Sequence, residues 1–296
     1  MPTRLEIARN DIHRVLDEEP KRVLQTADID RILADHRDEW RLAISTTRAE
    51  FIRFLSGKNK LRKITMDFPW RKEVRYVWRS APLAEVLMSL KPNCHFAHFT
   101  AMQIHGLTEQ EAATIYVNFE QTPKPSPAGG LTQEGIDRAF RGPQRVAKNV
   151  AEVEGFRVYL LNGKHTGYVG VETQSLRLSA DDQATEARVT DVERTLIDLT
   201  VRPAYAGGPD EVLKAYRRAG DRASVNRIGA YLPKMRYVYP YYQAIGFYLE
   251  CSEAYSDSAI ARFRDRFEFE YDFYLAYGMK DTRYEERWRL HVPSWM

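Results

Sequence analysis

The spacing of apolar residues in the first part of the chain predicts three short helices. Apolar positions recur every three or four residues, the period of a helix with one buried face. The first helix should end before Pro20, the second should be capped by Thr26, and the third should run from Thr47 to Gly57. Thr47 and Glu50 form a capping-box pattern, in which each side chain satisfies a backbone amide of the other residue.

A β-hairpin should follow the third helix. Residues 60–66 and 73–78 are strand-like runs, and Asp67-Phe68-Pro69-Trp70 between them reads as a turn. Three helices followed by a hairpin are typical of a winged helix-turn-helix. We therefore predict such a domain over residues 1–80, and a larger mixed α/β domain over residues 81–296. The expected fold class is α+β.

The distribution of charge supports a DNA-binding role for residues 1–80. Up to Trp40, ten acidic residues outnumber seven basic ones, but from Arg41 to Arg79 three acidic residues oppose eleven basic ones. This positive excess falls on the third helix and the hairpin, which contact DNA in winged-helix proteins. The alternative is an ordinary solvated face. The candidate groove-facing residues are Thr46, Thr47, Ala49, Glu50 and Arg53, with Arg53 as the best candidate for a guanine contact. The candidate phosphate contacts at the helix ends are Arg48 and Lys58; the candidate wing contacts are Lys60, Arg62, Lys63, Arg71, Lys72 and Arg75.

In the larger domain, the segment from Arg188 to Gly220 predicts two helices joined by a glycine turn. Thr190 and Glu193 read as a capping box, and Leu196 lies on an apolar stripe at helical spacing. Asp191, Arg194 and Asp198 fall on the opposite side, so we expect them in solvent, with Arg194 and Asp198 as an exposed i,i+4 ion pair. Pro209 should begin the second helix.

This segment resembles the signature of AbiEi-family antitoxins, the regulatory half of type IV toxin–antitoxin operons. The matching positions are Asp191, Glu193, Arg194, Thr195, Asp198, Tyr205, Gly207 and Gly208. A second stretch, HFTAMQIHGLT from His98 to Thr108, is similar to the start of that family's antitoxin domain, and the ending RYEERWRLHVP is similar to its closing strand. The resemblance implies a repressor that binds its own promoter, at inverted repeats, and counteracts a nucleotidyltransferase toxin.

Other features of the sequence limit the alternatives. The chain has no apolar run of membrane-spanning length and no apolar leader, which predicts a cytoplasmic protein, and Cys94 and Cys251 read as free thiols. The histidines at 95, 98 and 105 lack the acidic or cysteine partners of a metal site, and no nucleotide-cradling or serine-nucleophile motif is present. We therefore expect that the protein is not an enzyme and binds neither a metal nor a cofactor.

Three features leave other interpretations open. The tyrosine-rich stretch 237–242 fits packing in the core, with the hydroxyl edge of the rings in contact with water, better than base stacking. The proline-rich stretch 123–130 should be an exposed loop. The carboxylate pair Asp181-Asp182 reads as part of a loop. Two other functions remain: a ligand-sensing winged-helix regulator and, with less support, a metal-dependent nuclease.

Overall fold

The computed structural model describes residues 2–57, 60–123, 130–179 and 182–296. Lys58, Asp181 and most of the proline-rich stretch lie outside these residues. Helices and several sheets alternate along the chain, which confirms the α+β class. Within the described ranges, no helix is both long enough and apolar enough to cross a membrane.

The first part of the chain has the element order of a winged helix. Its helices are α1 (Arg4–Ile7), α2 (Arg9–Glu18), α3 (Thr26–His36) and α4 (Arg48–Ser56), and its strands are β1 (Val23–Leu24), β2 (Leu61–Phe68) and β3 (Arg71–Trp78). The strands form an antiparallel sheet in the order β1-β3-β2. The small core contains Ile12, Ile32, Trp40 and Phe51, and the last two rings stack with centroids 5.7 Å apart.

The β2–β3 hairpin packs on both of its faces. Leu61 lies opposite Trp78, and Ile64 lies opposite Arg75. Because side chains alternate along a strand, one face joins the small core and the other joins the core of the larger part. The first face contributes Leu61, Tyr76 and Trp78. The second contributes Ile64, Met66, Phe68 and Val77. The proposed boundary at residue 80 is therefore crossed by a shared apolar core.

The larger part is built on a mixed sheet of six strands in the order β6-β7-β5-β4-β9-β8. Its strands are β4 (His95–Phe96), β5 (Thr114–Glu120), β6 (Val150–Val153), β7 (Phe156–Gly163), β8 (Val171–Leu176) and β9 (Thr185–Thr190). The helices along this stretch are α5 (Leu83–Met88), α6 (His98–Ile104) and α7 (Gln133–Arg141). β5 and β7 run parallel, as do β4 and β9, and the other neighbours are antiparallel.

A helical layer follows the sheet. It consists of α8 (Val192–Val201), α9 (Pro209–Ala219), α10 (Val225–Met235), α11 (Tyr241–Cys251) and α12 (Asp257–Arg264). A small sheet closes the chain, with the order β10-β12-β11: β10 (Phe273–Tyr274), β11 (Thr282–Glu285) and β12 (Leu290–Pro293). Trp288, fully buried, packs directly over Gly246 of α11, where a Cβ would overlap its ring.

Several predicted helix ends agree with the structure, and two predicted caps are wrong. Thr47 caps α4 in a complete capping box with Glu50. Pro209 begins α9 at its first turn. The second helix is capped by Gln25 and not by Thr26, because Asp28 completes a capping box with Gln25.

The helix α8 is capped by Asp191, which accepts a hydrogen bond from the Arg194 amide at 2.7 Å. The predicted capping box at Thr190 is therefore wrong. Thr190 is the last residue of β9, and its hydroxyl lies 2.8 Å from that of Thr195. The strand continues one residue further than the sequence pattern indicated, which shifts the helix start by one position.

Candidate functional site

The first candidate site is the helix α4 with the turn that precedes it. The Arg37 guanidinium, at the end of α3, donates to the carbonyl groups of Ala43, Ile44 and Thr46 at 2.5, 3.3 and 3.0 Å. These bonds hold the turn between α3 and α4, and Phe51 and Leu55 anchor α4 in the core. α4 therefore has one buried face, one outer face and a fixed start.

The outer face of α4 carries one arginine without an acidic partner. Arg53 is exposed, and no carboxylate lies within 4.0 Å of it in the described residues. Arg48 is also exposed, but its Nη1 lies 2.6 Å from Oδ2 of Asp30. Thr47 is exposed and Thr46 is half-buried at the start of the helix. Arg53 is thus the cation of this face with the fewest competing contacts.

The hairpin is less available to DNA than its charge predicts. Arg75 is 4 % exposed; its guanidinium donates to the Ser89 hydroxyl and carbonyl at 2.8 and 2.9 Å. Burial lowers the pKa of Arg75. The prediction that Arg75 contacts DNA is therefore wrong. Its position on the inner face of β3, against α5, could not be read from the charge pattern.

The other cations of the hairpin region are exposed, apart from half-buried Lys60, but most of them already have partners. Arg62 pairs with Glu154 of the larger part, Arg71 pairs with Glu73, and Lys72 Nζ lies 3.0 Å from Asp67 Oδ1. Lys60 Nζ lies 3.1 Å from Nδ1 of His13. Lys63 is exposed and has no acidic partner within the described stretch of β2 and β3.

The second candidate site is centred on α8. Two of the acidic residues in its motif hold α8 against α10. Asp191 accepts a hydrogen bond from the Tyr231 hydroxyl at 2.7 Å, in addition to capping α8. Glu193 is 3 % exposed and accepts the Ser224 amide at 2.8 Å and the Arg227 guanidinium at 3.3 Å. These contacts explain both carboxylates as structural.

Arg194 and Asp198 form a buried ion pair. Their exposed fractions are 3 % and 4 %, and Arg194 Nε lies 2.8 Å from Asp198 Oδ1. Arg194 Nη1 also donates to the Thr166 hydroxyl at 2.9 Å and to the Val169 carbonyl at 2.7 Å. The prediction that Asp191, Arg194 and Asp198 lie in solvent is wrong, because the sheet and four other helices (α6, α9, α10 and α11) pack around α8.

Glu120 links this ion pair to the end of β5. Its carboxylate accepts the amides of Thr166, Gly167 and Tyr168 at 2.8, 3.0 and 3.2 Å, and so fixes the loop whose Thr166 contacts Arg194. Burial acts to raise the pKa of Glu120, but these hydrogen bonds outweigh it and the pKa is lowered. The carboxylate therefore stays ionised beside the buried guanidinium.

The remaining motif residues form the turn between α8 and α9. Gly207 and Gly208 have φ values of +94° and +109°, in a region that L side chains rarely adopt. Tyr205 is buried, and its hydroxyl accepts the Ala147 amide at 2.8 Å. The glycines thus allow the chain to reverse directly after Tyr205, whose ring remains against the sheet.

Arg194, Asp198 and Tyr205 meet at a cavity of about 480 Å³. Residues that the sequence analysis did not assign to any site complete its wall. They include Asn118, Gln121, Arg145, Lys164, Arg202 and Tyr277, together with His98, Tyr237, Val238, Tyr239 and Tyr241. They come from distant segments, so no local pattern relates them. The tyrosine stretch is partly buried, as expected: Tyr241 is 6 % exposed, and Tyr237 and Tyr239 are half-buried.

Two histidines near this cavity are uncharged at neutral pH. Burial lowers the pKa of His95 to about 4 and that of His98 to about 3, with Arg194 as a further cause in both. The Asn118 amide donates to His95 Nε2 at 3.2 Å. Among the described residues, no group of three or more His, Cys, Asp or Glu side chains is placed to hold a metal ion.

Comparison with known proteins gives the class of fold. No family model matches this chain, and no curated protein matches it. The crystal structure of the RV2827C protein from Mycobacterium tuberculosis is similar over 96 % of this chain and 90 % of that chain, with a TM-score of 0.58 and 14 % sequence identity. At this identity the likeness shows a common α+β fold.

Proposed function

We propose that this protein is a DNA-binding transcriptional regulator that contacts double-stranded DNA through α4. The observation that carries the proposal is the position of Arg53, which is exposed and has no acidic partner among the described residues. It lies on the outer face of a helix whose other face is anchored in the small core. Arginine reads guanine through two parallel hydrogen bonds in the major groove. Thr46, Thr47 and Lys63 supply auxiliary contacts, and Arg48 binds phosphate after exchanging its bond to Asp30.

Selection from a random double-stranded library with the full chain tests this proposal, because it does not require the operator to be known. A consensus should emerge, and log affinity should fall linearly with log salt, at about 0.9 per phosphate neutralised. Arg53→Ala should cost about 1–3 kcal/mol on the consensus and relax one base position. Lys63→Ala should weaken all sequences alike.

Arg262→Ala is the matched control for these variants. Arg262 is an exposed arginine on α12, without an acidic partner in the described chain, and its loss should leave both the affinity and the consensus unchanged. Failure to enrich any sequence, or equal effects of Arg53→Ala and Arg262→Ala, would rule out α4 as the reading element.

We further propose that the chain acts as an antitoxin against a nucleotidyltransferase toxin. This proposal is supported by the resemblance of the Arg188–Gly220 segment to AbiEi-family antitoxins and by the convergence of three of its motif residues on one cavity. If this proposal is correct, a gene for a nucleotidyltransferase should lie beside the gene for this protein. Co-expression of the full chain with that enzyme should restore growth, and Arg53→Ala should restore it equally well. A folded chain that fails to rescue growth would favour the ligand-sensing regulator instead.

A further inference from the structure

The cavity beside α8 has the dimensions of a small-molecule site. Its volume of about 480 Å³ falls within the range of roughly 300–1,000 Å³ that is typical of ligand pockets. Its wall combines the ends of β5 and β7, the last turn of α8 and the stretch before α11. A site assembled from four separate elements of one core is held in shape by the fold.

The charge around this cavity is positive. Arg145, Lys164 and Arg202 line it, and no carboxylate lies within 4.0 Å of any of them in the part of the chain that the structure describes. Asp198 is the acidic residue of the wall, and Arg194 neutralises it. Three cations without an acidic partner in the described residues, two of them exposed, are suited to an anion with more than one charge.

Aromatic and apolar groups occupy the rest of the wall. Its tyrosines are Tyr205, Tyr237, Tyr239, Tyr241 and Tyr277. Val146 and Val238, which also line the cavity, are 49 % and 51 % exposed, although they are large apolar residues. Tyrosine rings and exposed aliphatic groups offer flat, apolar contact area to a planar ring. The cavity therefore fits a molecule with an aromatic part as well as a charged part.

His98 supplies an unsatisfied polar group in the same wall. It is 8 % exposed, and its Nδ1 has no hydrogen-bond partner among the described residues. Its backbone has φ +53°, a conformation that costs a non-glycine residue on the order of 1–3 kcal/mol. Since buried polar atoms are nearly always hydrogen-bonded, this Nδ1 is available to form a hydrogen bond with a molecule in the cavity.

We propose that this cavity binds a small molecule of the nucleoside phosphate class. The phosphates contact Arg145, Lys164 and Arg202, and the planar base lies among the tyrosines within reach of His98. This inference does not depend on the proposed DNA binding or on antitoxin activity, and it assigns the cavity a ligand that neither function requires.

Calorimetric titration of the full chain, without divalent metal, tests the proposal with three kinds of probe. These are the four ribonucleoside triphosphates, the four free nucleosides and inorganic triphosphate. At least one nucleotide should bind with a Kd below about 1 mM. The matching nucleoside and inorganic triphosphate should each bind at least about tenfold more weakly, since each lacks half of the contacts.

Variants assign the binding to the cavity. Lys164→Ala and Arg202→Ala should each weaken the nucleotide about tenfold, and exposed Lys164 keeps the test valid if Arg202→Ala is unstable. Arg262→Ala and Arg53→Ala should bind as the native chain does, which excludes nonspecific anion binding at the DNA face. The proposal is overturned if no nucleotide binds, if inorganic triphosphate binds as well as the nucleotide, or if Lys164→Ala has no effect.

Discussion

Replacing Arg194 with methionine should destabilise the larger part strongly, although the sequence pattern places this residue in an exposed pair. The side chains of Arg194 and Asp198 are 3 % and 6 % exposed and 2.8 Å apart. Arg194 also donates to Thr166 and Val169. Methionine fills a similar volume but leaves the Asp198 carboxylate buried without its counter-ion.

The expected cost is about 3–5 kcal/mol, the usual penalty for removing one partner of a buried ion pair. Lys214→Met is the matched control, because Lys214 and Asp210 have the same i,i+4 spacing and a distance of 2.6 Å, but are 48 % and 53 % exposed. Although Lys214 also contacts Glu211 at 2.8 Å, an exposed pair is worth only about 0–1 kcal/mol.

Urea unfolding followed by circular dichroism measures both variants. The midpoint should shift while the slope stays constant, since the slope reports the surface exposed on unfolding. The double variant Arg194→Met/Asp198→Leu should recover part of the loss, because it removes the uncompensated charge. If Arg194→Met costs no more than Lys214→Met, the pair is hydrated and the buried ion-pair argument is refuted.

Three further predictions concern stability. His95 and His98 have pKa values lowered from 6.5 to about 4 and about 3, so the unfolded chain binds more protons than the folded chain as the pH falls. The stability that the two uncharged histidines contribute is complete above pH 6.5 and should fall by about 1.4 kcal/mol for each histidine between pH 7.5 and 5.5. Urea midpoints that do not change over this range would contradict this prediction. Gly208→Ala should cost about 1–3 kcal/mol because φ is +109° and ψ is 175°; a thermal midpoint equal to that of the native protein would disprove the strain. Gly246→Ala should lower the thermal midpoint by several degrees because its Cβ overlaps the Trp288 ring, and it should fail to do so only if that ring can move aside.

The sequence predicted local structure well where the signal was local. The capping box of Thr47 and Glu50, the start at Pro209 and the hairpin around Pro69 all depend on neighbouring residues. Burial of charged residues could not be predicted in this way. Arg75 on a strand and Arg194 on a helix both belong to sequence patterns that predict solvent-facing residues. Only the packing of distant elements against them shows that they are buried.

The cavity could not be predicted from the sequence for the same reason. Its motif residues Arg194 and Tyr205 are close in sequence, but Lys164 and Tyr277 come from other elements. In the sequence, His98 stands out only as a possible metal ligand and as the start of the stretch HFTAMQIHGLT. Its positive φ and its Nδ1 without a partner among the described residues are properties of the folded chain. The domain boundary at residue 80 and the assignment of Arg53 to guanine stay predictions.

The two-faced hairpin has a consequence for how this protein can be dissected. A fragment cut after residue 80 would present Ile64, Met66 and Phe68 of β2 and Val77 of β3 to water on one face of the hairpin, and an exposed apolar patch of this kind promotes association. Such a fragment should therefore aggregate or require compensating polar substitutions on that face. Because the hairpin contributes side chains to both cores, the small core and the core of the larger part should unfold together on heating.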